Sequence, residues 1–537
     1  MTTVVGRAMP GLGPRRFVRR LAPPWPLATI GLGVAVLSLL PISYLLLRAA
    51  GTDADALAFI ARPRTLSIVV SSVLLGLLVG AGSVLVGLPI AWLTTRTNLP
   101  GRRAWAVLTV IPLAIPSYVT GFAFVAAFGP RGALQSLLEP LGVTRLPDIY
   151  GLPGAALVLI LATYPYVVLA VRGSLMREDR SVEEAARTLG DGRMTAFRRV
   201  TLPLLAPAIG AGALLAVLYA LSDFGAVSLL QFDSFSRAIY LQYRGTFDRS
   251  LAAVLALGLV VLTLAVTYGE ARLRSRARHF AGTGPSRPVE RVPLGRWHWP
   301  ALGFMTVVVA LALVVPAASI GFWLLRGLAQ GEAFRDVGAA IAGSLGMGLV
   351  GAVLATAIAL PVGLLLARHP SRLTTLVERS SYASFALPGI VVALALVFLT
   401  TSTVPFLYQT IILLAVAYAI RFLAHAFGPL RATLLRVGTR VEEAGRTLGD
   451  GPVRVFLGVT LPLLRPALLS GAALVFLAIV KELPMALILG PIGFETLATE
   501  IWGATSEGFY GRAAGPAALL LVMSAATVTL LLREERR

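Results

Sequence analysis

Twelve apolar runs divide this chain of 537 residues. They fall near 26–47, 66–94, 104–128, 152–171, 203–222 and 251–269, then near 301–325, 340–367, 382–401, 406–426, 466–490 and 513–532. A run of about 20 apolar residues, wound as a helix, crosses the roughly 30 Å of hydrocarbon in a bilayer. With 57% hydrophobic and only 14% charged residues, the chain is too apolar for a soluble globule of this length. The expected fold is therefore an all-α membrane protein with about 12 transmembrane helices. The first run follows Arg7, Arg15, Arg16, Arg19 and Arg20 and extends from Pro26 to Leu47. It is too long for a signal-peptide core and shows no small-residue cleavage site, so it reads as an uncleaved first span.

Charge sets the expected topology. The net charge of +21 would suggest nucleic acid in a soluble protein, but here the arginines cluster between apolar runs and face anionic lipid, so no nucleic-acid partner is expected. Segment 172–202 holds Arg172, Arg177, Arg180, Arg187, Arg193, Arg198 and Arg199. Segment 427–465 holds Arg431, Arg436, Arg440, Arg446, Arg454 and Arg465. The segments on the other side, such as 48–65 and 223–250, mix arginine with aspartate. The excess of positive charge places the N- and C-termini, and both of these segments, in the cytoplasm.

Composition removes several chemistries. No cysteine is present, which excludes disulfides and thiolate sites, and the four histidines show no metal-ligand spacing. Lys481 is the only lysine and is followed by Glu482, so the Gly-Lys-Ser/Thr of a P-loop cannot be formed. No catalytic residue, metal site or cofactor is expected, and the chain reads as no enzyme.

The cytoplasmic segments contain one stretch twice. Val182-Glu183-Glu184-Ala185-Ala186-Arg187-Thr188-Leu189-Gly190-Asp191-Gly192 returns 259 residues later as Val441-Glu442-Glu443-Ala444-Gly445-Arg446-Thr447-Leu448-Gly449-Asp450-Gly451. Across 182–208 and 441–467, 19 of 27 positions are identical. The stretch is polar, so shared hydrophobicity cannot explain the match. Leu88-Pro89 matches Leu360-Pro361 and Pro116 matches Pro388 at an offset of 272, which places 13 extra residues of the first half in the outer loop 129–151. Two tandem six-helix halves with one orientation follow: residues 1–25 as an N-terminal segment, 26–269 as the first half, 270–299 as a linker and 300–537 as the second half. Prolines within the spans read as kinks tolerated by packing.

The repeated stretch has a mechanical reading. Val182–Leu189 is a short helix, Gly190-Asp191-Gly192 turns it, and Pro203 begins the next span, with Pro462 in the same role in the second copy. A short helix pair would lie across the ends of two spans, with alanines on its buried side. Glu184 and Glu443 would then be exposed for docking into a partner. An interfacial lipid anchor is the bland alternative, but anchoring requires only amphipathicity and not a repeated sequence.

Glu184-Ala185-Ala186…Gly190…Leu202-Pro203 and Glu443-Ala444-Gly445…Gly449…Leu461-Pro462 resemble the EAA loops, 182–203 and 441–462, of bacterial ABC-importer permeases. The second copy departs from that pattern at Gly445, where the family has alanine. The resemblance implies a type I importer permease in the bacterial inner membrane whose EAA loops are coupling helices. Its partners would be two copies of a cytoplasmic ATPase subunit and a periplasmic or lipid-anchored substrate-binding protein. Ser222-Asp223-Phe224-Gly225-Ala226-Val227, Lys481-Glu482-Leu483-Pro484 and 496–502 resemble fused two-half permeases of the ferric-iron import type. Thiamine, aminoethylphosphonate and polyamine permeases are similar in layout.

Asp223, Lys481 and Glu482 fall about 20 residues after Pro203 and Pro462, near the outer ends of their spans. Ionisable groups at such depth face the bundle interior. They either pair locally, Lys481 with Asp223 or Glu482, or line the translocation path, where carboxylate oxygens would suit a hard cation. The competing class is an ion-coupled secondary transporter of twelve helices. Its signature loop matches only the Gly101-Arg102-Arg103 end of 95–103, and that class has no use for duplicated EAA loops.

Overall fold

The computed structural model describes residues 24–50, 61–130, 132–143, 146–177, 186–245, 250–278, 291–335 and 337–534. Among them the regular structure is helical, and one isolated bridge pairs Thr97 with Val292. In the first half α1 spans Trp25–Ala50, α2 Pro63–Arg96, α3 Arg102–Leu108, α4 Ser117–Phe128 and α5 Leu152–Leu175. It continues with α6 Leu202–Ser222, α7 Gly225–Leu229, α8 Phe235–Gly245 and α9 Ser250–Arg278. The second half begins with α10 His298–Val309, α11 Val315–Ala329, α12 Val337–Arg368, α13 Arg372–Ala386, α14 Gly389–Thr403 and α15 Ile411–Arg421. Then follow α16 Leu423–Val437, α17 Arg440–Thr447, α18 Leu461–Val480, α19 Pro484–Leu489, α20 Leu497–Ser506 and α21 Tyr510–Glu534. The all-α membrane architecture in two halves is as expected.

The spans are less regular than twelve straight rods. Nine helices among the described residues are long and apolar enough to cross a membrane, and three bent pairs raise the number to as many as 12. The expected span 104–128 bends by 96° between Ala114 and Ser117, and 382–401 bends by 106° between Ala386 and Gly389. Pro116 and Pro388 are the cause. Each forces its predecessor out of the helical region, so Ile115 has ψ 124° and Leu387 ψ 138°, and neither proline can donate to the turn before it. These prolines are full breaks rather than tolerated kinks. A third expected span, 406–426, is the pair α15 and α16, bent by 43°. The span expected at 466–490 ends at Val480, and residues 484–489 form the separate α19.

Other prolines are absorbed within continuous helices. Pro203 and Pro462 stand two residues after five-residue π-helical segments, Phe197–Thr201 and Phe456–Thr460. A proline there removes one helical donor, and the wider turn accommodates the missing bond.

The first helices of the halves reach across to the other half. Helix α1 packs on α12, α13 and α14 of the second half as well as on α9 of its own, while α11 packs on α4 of the first half as well as on α21 of its own. Tyr44 and Ser402 share a hydroxyl hydrogen bond of 2.6 Å, and Trp323 Nε1 donates to the Ala126 carbonyl at 2.9 Å. Aromatic rings continue the seam, with Tyr240 edge-on to Trp502 at 5.6 Å and Phe122 tilted against Tyr510 at 6.3 Å between centroids. One buried cluster of apolar residues runs through both halves.

Candidate functional site

The repeated loops close with the same pair of backbone hydrogen bonds. In the second copy α16 ends at Gly438, whose φ of 62° and ψ of −176° lie in a region essentially reserved for glycine, and α17 follows. Gly449 N–H then donates to Arg446 O at 3.0 Å and Asp450 N–H to Gly445 O at 3.2 Å. In the first copy Gly190 N–H donates to Arg187 O and Asp191 N–H to Ala186 O, both at 3.1 Å. This paired closure ends a helix on a left-handed residue, here Gly190 with φ 100° and Gly449 with φ 94°. A side chain at either position would be strained, which is why the motif holds a glycine four residues after the alanine. Asp191 and Asp450 are each met by an arginine at 3.4 Å, Arg199 and Arg454 respectively.

Glu184 and Ala185 lie outside the described residues, so the first copy is seen only from Ala186 onward. In the second copy Glu443 is exposed as expected, but Ala444 is exposed as well, and the buried side of α17 is Gly445. A Cβ at Gly445 would stand 3.1 Å from Val455 Cγ2. At the 259-residue offset, the counterparts of Gly445 and Val455 are Ala186 and Ala196. The volume moves from one side of the contact to the other, so the departure from alanine is compensated by Val455.

Two functional features were not anticipated from the sequence. Leu189 and Leu448, the residues just before the turn glycines, are 89% and 86% exposed. A leucine held so far out, at the same place in both copies, suits a contact with another protein. The second feature is Glu442, the neighbour of the glutamate singled out above. Its Oε1 accepts from Arg368 Nη2 at 2.8 Å, and the same nitrogen donates to Gly438 O at 2.8 Å. Thr460 Oγ1 adds a 3.4 Å bond to that carboxylate. Arg368 is the last residue of α12, so the pair fastens α17 to the end of that span. Arg96, at the end of α2, is its counterpart at the 272-residue offset, and that alignment is the signal that could have found the pair.

The charged groups at the far ends of α6 and α18 do not pair as expected. Lys481 forms no ion pair with Asp223 or Glu482 among the described residues; its Nζ donates to Leu113 O at 3.2 Å, reaching across to the break before α4. Asp223 receives the Ser117 hydroxyl and the backbone N–H groups of Ala226 (2.9 Å) and Val227 (3.3 Å), so it caps α7. Glu482 holds the equivalent place before α19, and its neighbour is Arg421, at 4.0 Å. Ser117 and Gly389 are counterparts, each the first residue after a break proline. In the first half a serine hydroxyl meets the short aspartate. In the second the glycine leaves room for the longer glutamate, because a Cβ at Gly389 would run into Glu482 Oε1. Glu482 Oε1 itself lacks a hydrogen-bond partner although buried. Among the described residues no three His, Asp or Glu converge as a metal cage.

Residues 83–279 and 359–534 each match the family described as binding-protein-dependent transport system inner membrane component. The chain is 31% identical to the Fe(3+)-transport system permease protein FbpB 2 of Haemophilus influenzae over 518 residues, 95% of this chain and 98% of that protein. It is 23% identical to the ferric transport system permease protein FbpB of Actinobacillus pleuropneumoniae over 496 residues, 86% of this chain and 70% of that one. The sulfate transport system permease protein CysW of Escherichia coli K12 is similar over 208 residues at 32% identity, 38% of this chain and 70% of its own length. Two matched segments, each carrying one glycine-closed loop between apolar helices, lead to one assignment: the chain belongs to the family of binding-protein-dependent transport system inner membrane components, as a permease with both halves in one polypeptide.

Proposed function

We propose that this permease imports ferric iron, driven by ATP that two copies of a separate ATPase subunit hydrolyse, after delivery by an external substrate-binding protein. The observation that carries the iron assignment is the end-to-end likeness to a Fe(3+)-transport permease, which spans both halves and the linker. The two EAA loops are the ATPase-docking elements. In the second, Glu443, Ala444, Gly445 and Gly449 form the docking helix and its turn, with Leu448 as the apolar contact. In the first, Glu184, Ala185, Ala186 and Gly190 have the same role, with Leu189 beside them. The arginine-rich segments support a cytoplasmic position for these loops and both termini.

Asp223, Lys481 and Glu482 border the translocation path near its outer end. Supporting this, they sit at the ends of equivalent helices, beside the two broken spans, and Lys481 bridges the halves. With no three-ligand cage among the described residues, the cation would pass these carboxylates without being held.

The test is uptake of radioactive iron by vesicles holding the purified permease, its ATPase and its binding protein. Ferric iron should accumulate with ATP, and thiamine, aminoethylphosphonate and polyamines should not compete. Accumulation of one of these in place of iron would refute the substrate, and accumulation driven by an ion gradient without ATP would refute the mechanism. The mass of the assembly should correspond to one permease chain and two ATPase subunits.

A further inference from the structure

Between the halves, the end of the linker lies back along the loop that follows α2. Val292 N–H donates to Arg96 O at 2.8 Å, Asn98 N–H donates to Val292 O at 3.3 Å, and Leu294 N–H donates to Asn98 Oδ1 at 3.0 Å. These bonds hold Arg291 opposite Arg102 and Arg103. The three arginines, with Asn98, Leu99 and Gly101, line a cleft of about 390 Å³. No carboxylate lines it, and among the described residues none forms an ion pair with these arginines. Arg172 adds its charge to the repulsion felt by Arg102. Like charges fixed by backbone bonds favour an anion between them.

The depth of the cleft indicates which anion. Arg103 and Val107 are four residues apart and share one face of α3, where Val107 is exposed and apolar, as is Ile111 further along. Arg103 therefore stands at the edge of the hydrocarbon. Trp297 and Trp299, both exposed, follow the linker, and tryptophan settles at the headgroup level of a bilayer. The cleft opens into the layer where lipid phosphates lie.

We propose that this cleft holds the phosphate of an anionic phospholipid headgroup, clamped between the loop after α2 and the end of the linker. The site is independent of the transported substrate. The guanidinium groups and the Asn98 amide supply donors suited to phosphate oxygens. The bound lipid secures the linker to the bilayer on the side that carries both repeated loops.

The experiment is native mass spectrometry of the full chain released from membranes of equal phosphatidylglycerol and phosphatidylcholine content, with lipid titration for relative affinity. Wild type should retain phosphatidylglycerol in preference. Each basic residue near an anionic surface is worth about a fivefold change in affinity, so Arg102→Gln with Arg291→Gln should weaken retention by about 30-fold. Arg102→Lys with Arg291→Lys should stay within about fivefold of wild type, since lysine keeps the charge. Arg198→Gln with Arg436→Gln, on the same side but outside the cleft, should weaken retention far less than the cleft pair does. If the double glutamine variant fails to fold, Arg103→Gln alone should show about a fivefold loss. Wild-type retention in a folded double glutamine variant would overturn the proposal, and so would an equal loss in the Arg198/Arg436 variant. Displacement of the lipid by millimolar inorganic phosphate would assign the cleft to a soluble anion. Unchanged lipid retention with weakened ATPase co-purification would assign it to an acidic protein surface.

Discussion

Removing Arg368 should detach α17 from the span to which it is tied. One guanidinium nitrogen serves both Gly438 O and Glu442 Oε1 at 2.8 Å, and the two side chains are only 14% and 16% exposed. A hydrogen bond to a charged group contributes about 1.5–3 kcal/mol, whereas a fully exposed pair contributes about 0–1 kcal/mol. With most of the pair out of water, Arg368→Ala should cost about 2–3 kcal/mol, including the carboxylate left behind. Glu442→Gln keeps an acceptor and should cost about 1 kcal/mol. In the Arg368→Ala/Glu442→Ala cycle the coupling energy should be about 1–2 kcal/mol, because either change alone destroys the same contact. Denaturant unfolding in detergent gives the energies, and co-purification with the ATPase reports the position of α17. Both single variants should lose ATPase while α18 and the remainder of the bundle stay folded. Additivity within about 0.5 kcal/mol, or full ATPase recruitment by folded Arg368→Ala, would refute the tether.

Three further outcomes follow from the paired halves. Gly445→Ala alone should be close to neutral, the roughly 1 kcal/mol gained in helix propensity offset by the 3.1 Å approach to Val455, whereas combined with Val455→Ala it should stabilise relative to Val455→Ala alone; thermal unfolding of the cycle checks this, and additivity would remove the compensation. Leu189→Ser and Leu448→Ser should leave folding within about 0.5 kcal/mol of wild type yet lower ATPase recruitment severalfold, measured by titrating ATPase onto the permease. Gly389→Ala should displace the Glu482 carboxylate and cost about 1–3 kcal/mol, and shortening it with Glu482→Asp should recover part of that loss; unfolding midpoints of the three variants decide it.

The architecture was legible because its signals are long. Apolar runs of about 20 residues and a repeated polar stretch survive any error in boundaries. What escaped was short-range. Pro116 and Pro388 are single letters that read alike as a kink or a break, and the difference depends on whether tertiary contacts occupy the corner. Of the two readings open for Lys481, pairing with a carboxylate does not form, because its ammonium meets a carbonyl freed by the break before α4. Glu442 was passed over for Glu443 because adjacent helical residues point about 100° apart, and only the position of Arg368 decides which one turns inward. Compensations such as Gly445 with Val455, or Gly389 with Glu482, become readable once the two halves are superposed residue by residue.

The reach of α1 into the second half has a consequence for synthesis. Helix α1 is complete by residue 50; its neighbour α9 follows within the first half, but α12, α13 and α14 emerge roughly 300 residues later. At about 5–20 residues per second, α1 waits some 15–60 s in the bilayer before its seat is complete. During that interval its Ser38, buried in the finished protein, and its Tyr44, which ends on Ser402, face lipid or the insertion machinery. The first half is therefore an unfinished object until the second is made, and damage to α12–α14 should appear first as proteolysis near the N-terminus. Fusion of the halves keeps the partner of α1 on the same ribosome, so the wait ends on a schedule set by translation and not by a search through the membrane.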